Sequence, residues 1–123
     1  MNVAKLKKAM DMLVEDLGGG LLASDIFSKN DGQSLVGVNS QAAACALFAQ
    51  TTKYLIKSLQ DSGFPPLGRY WLLDLVDRKA VIVLPLGEYI WGVLVDTQKV
   101  PVGLVLNVSV PKIISLYEEA LTD

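Results

Sequence analysis

The chain has 123 residues, 51% of them hydrophobic, enough for one domain with a substantial core and too few for two ordinary ones. Charged residues make up 20% and the formal net charge is -2, so no long-range field draws in nucleic acid or an anionic membrane. A single cysteine, Cys45, excludes an internal disulfide, and the absence of histidine removes the commonest zinc and copper ligand along with the usual nucleophile and base pairs.

A lone cysteine points to a reducing setting, and a cytoplasmic location is expected. Asp11, Glu15 and Asp16 interrupt what would be the apolar stretch of a secretory signal. Residues 32–52 carry no charge, but Gln33, Ser34, Asn39, Ser40, Gln41 and Gln50 break them up, whereas a membrane span wants about 20 predominantly apolar residues. Lys5, Lys7 and Lys8 form the only cluster of cations and read as a solvated helix face.

Val3, Leu6, Met10, Leu13 and Leu17 recur at steps of three and four, the period of one helix face. Gly18, Gly19 and Gly20 end that helix. Gly18, Gly20 and Ala23 also fit the G-x-G-x-x-A pattern of dinucleotide sites, but that pattern cradles a pyrophosphate only between a preceding strand and a following helix. Here the order is reversed, and no carboxylate stands between Val38 and Phe48 to hold a ribose. The glycines therefore read as a joint. With no Gly-Lys pair in the chain there is no Walker loop either, and no cofactor is expected.

After the joint, Leu21, Ala23, Asp25 and Phe27 alternate with Leu22, Ser24 and Ile26, the pattern of a strand. The turn signal "SKNDG" and the extended "QSLVGV" make a hairpin over residues 20–38. Asn39 or Ser40 is placed to cap a second helix that runs to about Asp61, ahead of Gly63, Pro65 and Pro66. Three β-rich runs, "RYWLLDLVD", "KAVIVLPL" and "EYIWGVLVD", form a meander, with Pro85 near the end of the middle strand. For residues 101–110 two readings stand: Leu104, Leu106 and Val108 alternate like a strand, while Pro101 equally opens a helix kinked at Pro111. A last helix follows, with Ser109 as its candidate cap. The expected fold is α+β, a five-stranded antiparallel sheet flanked by helices in the order helix, hairpin, helix, meander, helix, as a single domain over residues 1–123.

No constellation for acid-base or nucleophilic chemistry emerges. Cys45 lies among alanines and reads as a small buried residue. Asp74 with Asp77, Glu118 with Glu119, and Asp25 with Asp31 read as solvated or capping carboxylates. Asp25 stands apart because its strand neighbours are apolar, so it is expected to be tied to backbone donors. No catalytic or metal-binding residue is assigned.

The second helix carries a stripe, Ala44, Phe48, Thr51, Leu55 and Leu59, expected to lie on the sheet. Opposite it, Lys53, Lys57 and Gln60 look solvated, whereas the first half presents Ala42, Ala46 and Ala49. Small side chains there admit a second backbone, although alanine is also simply a good helix former. The strand "RYWLLDLVD" has few of the devices that protect a sheet margin, and pairing with its own copy across a two-fold would cover it. Ala42, Ala46, Ala49, Lys53, Tyr70, Leu72 and Asp74 are accordingly the candidate surface of a homodimer.

The strings "GGLLASD", "DGQSLVGV", "SQAAACALFAQTTKYLIKSL", "AVIVLPLGEYIWGVLVD" and "VGLVLNV", in this order, resemble the roadblock/dynein light chain family from about Val3 to Leu121. Two departures are the long first hairpin at "IFSKNDG" and Pro111 inside the final helix. The resemblance implies a non-catalytic homodimer with sheets joined edge to edge through the meander's first strand and the second helices beside the two-fold. It further implies a Ras-like small GTPase as partner, as in bacterial regulators of this kind with GTPase-activating, polarity or motility roles. The catalysis then belongs to the GTPase. The alternative is a small-molecule sensor with a pocket between helix and sheet, lined by Trp71 or Trp91 if these are not core.

Overall fold

The computed structural model describes residues 1–122, so the last residue of the expected domain, Asp123, lies outside them. Helix α1 (Val3–Leu17) starts at Asn2, whose side-chain oxygen accepts a hydrogen bond from the Lys5 amide at 3.1 Å. Leu6, Met10, Leu13 and Leu17 are buried as their spacing requires, joined by Ala9, while Val3 stays exposed. The three glycines make one tight turn, Gly18–Gly20, that carries the chain from helix to strand. Gly18 adopts a φ of 53°, and a Cβ on Gly20 would stand 2.7 Å from Val100.

Strand β1 (Leu21–Ser28) pairs with β2 (Ser34–Val38) as the expected hairpin and with β5 (Tyr89–Asp96) on its other side. Against β5 its register shifts between Leu21 and Ala23. The extra residue moves the alternation by one, so Leu21 shares a core with Ile26 instead of facing the same way as Phe27. Helix α2 (Ala42–Asp61) begins at Gln41, and no side chain caps it. Asn39 and Ser40 are engaged elsewhere: Asn39 has a φ of 51° and donates its amide to Leu22 O at 2.9 Å, and Ser40 Oγ donates to Asp25 Oδ1 at 2.7 Å.

The meander consists of β3 (Trp71–Leu75), β4 (Lys79–Leu86) and β5. All pairings are antiparallel and the sheet order is β2-β1-β5-β4-β3, which puts β3 on one margin and β2 on the other. Asp77 and Arg78 take positive φ in the β3–β4 turn, and Gly87, at φ 84°, opens the two-residue β4–β5 turn. Pro85 sits one residue from the end of β4, opposite Ile90.

Residues 101–110 are helical, not extended. Pro101 precedes α3 (Val102–Leu104), a π-helical turn covers Val105–Ser109, and α4 (Val110–Leu121) continues the run. Ser109 lies within the helical backbone and makes no capping bond. Pro111 lacks an N–H and crowds the carbonyl four residues before it, and the wider π turn just upstream loosens the ladder there. Helices α1 and α4 lie antiparallel on one face of the sheet, with Asn2 N donating to Ala120 O at 2.8 Å and Lys112 paired with Asp16 at 2.7 Å. Their core takes Trp91, Ile82, Leu84 and Val95 from the sheet, and α2 covers the other face over Phe27, Val81, Val83 and Ile90.

Candidate interaction face and cavity

The face of α2 on the sheet is made of small side chains: Cys45, Ala49 and Thr52 are its buried residues. They let the helix sit close, while the bulky Phe48 and Leu55 pack from the flank. The inward stripe is thus rotated from the expected one, and Ala44, Thr51 and Leu59 are only half-buried. What fixes the rotation is Trp71 on β3. Its indole N–H donates to Thr52 Oγ1 at 3.1 Å, and its ring meets Phe48 edge to face with centroids 5.9 Å apart.

Of the alanines expected on the outer side, Ala49 is in the core, whereas Ala42 and Ala46 are exposed. The shoulder bearing Ala46 and Lys53 faces the chain's own β1–β2 loop. A Cβ on Gly32 would stand 3.0 Å from Ala46 Cα, and Lys53 Nζ donates to Asn30 O at 3.1 Å. At about 100° per residue, Leu47 and Tyr54 stand opposite the buried face, on the outer surface of α2. These are 58% and 70% exposed.

Strand β3 is the margin that the unprotected sequence implied. Trp71 faces α2, so by alternation Leu73 and Leu75 do too, and both are exposed. Leu72 and Asp74 point to the opposite face, and Tyr70, just before the strand, packs against the core beneath α1 and α4. The following turn opens on Val76, 84% exposed. Leu73, Leu75 and Val76 thus give the β3 margin an apolar character, and on α2 the large exposed apolar groups Leu47 and Tyr54 stand on the outer surface, where the sequence pattern had placed the alanines.

Between α2 and the sheet lies a cavity of about 180 Å³. Ala44, Phe48, Val81 and Leu94 supply apolar walls, and the exposed Gln41 and Leu75 stand at its rim. Neither Trp71 nor Trp91 lines it, as both belong to the packed cores. Trp91 donates instead to Ser24 Oγ at 2.9 Å, which in turn donates to Gly92 O at 2.7 Å.

Asp25 reaches the cavity wall and is 8% exposed. It is tied to side-chain hydroxyls, not to the expected backbone donors: Ser34 Oγ at 2.6 Å and Ser40 Oγ at 2.7 Å both donate to Oδ1. The Cys45 thiol lies beside the same carboxyl group. Burial first, then that neighbouring carboxyl group, push the thiol up to about 12 from its ordinary 9.0. Such a thiol is a weak nucleophile. Among the described residues no group of three or more His, Cys, Asp or Glu is placed to hold a metal ion, and no helix is long and apolar enough to cross a membrane.

No family model and no curated protein matches the sequence. Solved structures do match the fold. Myxococcus xanthus MglB superposes with a TM-score of 0.75 at 14% identity, over 98% of this chain and 93% of that one. A roadblock/LC7 domain from Streptomyces avermitilis gives 0.64 at 16%, over 94% and 98%. Schizosaccharomyces pombe profilin gives 0.62 at 11%, over 95% and 98%. At these identities the likeness is one of fold, the roadblock/profilin-like α+β sandwich, and one fold carries different functions.

Proposed function

We propose that the chain is a non-catalytic, cytoplasmic interaction module that acts as a homodimer and binds a Ras-like small GTPase, as regulator or scaffold. The observation that carries self-association is the bare apolar margin: β3 has a free edge and its α2-side leucines are exposed. An antiparallel pairing of β3 with its own copy is self-complementary, so one patch serves both subunits. Tyr70, Leu72 and Asp74 then lie along the paired margin, in a contact centred on Leu73, Leu75 and Val76, while Ala42, Ala46 and Lys53 fall outside that centre, Ala46 and Lys53 being turned towards the β1–β2 loop. The choice of a small GTPase rests on the sequence resemblance and on the likeness of fold to MglB.

Light scattering after size exclusion at micromolar protein is expected to give twice the mass of one chain. Capture with the tagged protein, in GDP and in a GTP analogue in parallel, is expected to retain a GTPase preferentially in one state, and the isolated GTPase to rebind. A single-chain mass at high concentration overturns the dimer. Equal or absent GTPase retention in both nucleotides overturns the partner.

A further inference from the structure

The cavity between α2 and the sheet combines two properties that together specify a ligand. Its apolar walls line about 180 Å³ of a space open to solvent on one side, against the roughly 150 Å³ that holds benzene in an engineered cavity. On its wall stands a carboxylate that is almost wholly buried. Buried carboxylates are normally paired with a cation. Asp25 is in neither of the two ion pairs among the described residues, which are Lys57 with Asp61 and Lys112 with Asp16. Two neutral hydroxyls serve Oδ1, and they are its only side-chain donors among the described residues.

We infer that this cavity is a binding site for a small apolar primary amine. The hydrocarbon part lies among Ala44, Phe48, Val81 and Leu94, and the ammonium donates to Asp25 beside Cys45, giving the carboxylate the charge-assisted bond it lacks. The Ser34 and Ser40 hydroxyls stay on Oδ1 and hold the acceptor in position, so the site is built before the ligand arrives. Access is past Gln41 and Leu75 at the rim. The inference stands on the cavity and its carboxylate and not on a partner GTPase; in a dimer that covers Leu75, entry is past Gln41.

Benzylamine and benzyl alcohol, alike in size and differing in charge, test it when titrated at neutral pH into the full-length ¹⁵N-labelled chain. Saturable shifts are expected at the amides of Ala44, Cys45, Phe48 and Leu94, with benzylamine binding at least tenfold more tightly than the alcohol. Asp25→Asn is expected to bring the two affinities together. Ala44→Met, which occupies the cavity and leaves the hydroxyl bonds to Asp25 untouched, is expected to abolish both. Benzylamine that fails to saturate these amides, an alcohol that binds equally well, or an amine preference that survives Asp25→Asn overturns the inference. Should Asp25→Asn not fold, the preference of the unaltered chain and its loss in Ala44→Met decide the matter.

Discussion

Asp25 sits where β1, β2 and the start of α2 meet, and its surroundings are shaped to take a carboxylate. A Cβ on Gly37, its partner across the hairpin, would run into the Asp25 carboxylate and stand 3.0 Å from Ser40 Cβ, which explains a glycine inside β2. That Asp25 is buried and tied down was readable from its apolar strand. Its partners were not, because Ser34 and Ser40 are 9 and 15 residues away and come within reach only through the hairpin and the connection to α2. The same geometry makes the Cys45 thiol inert. A disulfide reagent such as DTNB is expected to leave it unmodified in the native protein at pH 8 and to react once urea unfolds the chain. The folded thiol titrates near 12 against 9.0 ordinarily, so the unfolded chain ionises first. The stability tied to the neutral thiol is intact below about pH 9 and is lost as the pH climbs towards 12. Urea midpoints over that range are expected to fall in the unaltered protein and to fall less in Cys45→Ala.

At the scale of elements, boundaries followed local chemistry and rotations followed tertiary contacts. The three glycines were recognisable as a joint because a phosphate loop needs the opposite order of strand and helix. Their tightness comes from Val100, far along the chain, which packs where a Gly20 side chain would be. Gly20→Ala is therefore expected to cost about 1–3 kcal/mol by chemical denaturation, the usual penalty for overpacking. The stripe on α2 was misplaced for a comparable reason. Periodicity identifies the apolar side of a helix, but Trp71 chooses which residues touch the sheet by bonding Thr52 and meeting Phe48 edge to face. Residues 101–110 were undecidable locally, since alternating Leu104, Leu106 and Val108 satisfy a strand while prolines at 101 and 111 suit a helix start and a kink. A π turn between those prolines, with Val105 and Ser109 buried, lets one helical run contain them.

For the whole molecule, the margin formed by β3 is the feature from which function is argued. Leu73 contributes to that margin without belonging to either packed core. Leu73→Lys is accordingly expected to leave the far-UV circular dichroism unchanged and to lower the mass in light scattering from two chains to one. A lysine on an edge strand is one of the means by which sheets avoid pairing with copies of themselves. An unchanged two-chain mass would move the contact off β3. Ala46→Arg is a poorer probe, because Ala46 lies against the chain's own β1–β2 loop and a large side chain there disturbs the protomer as well.

The order of the elements, the antiparallel sheet and the scarcity of catalytic groups were fixed by short-range information: periodicity, turn residues and the absence of histidine. Which side of α2 faces outward, and the cavity with its buried carboxylate, arise only when segments far apart in the chain are packed together. Hydrophobic spacing tells a residue to be buried, but the shape and hydrogen bonds of its neighbours decide against what.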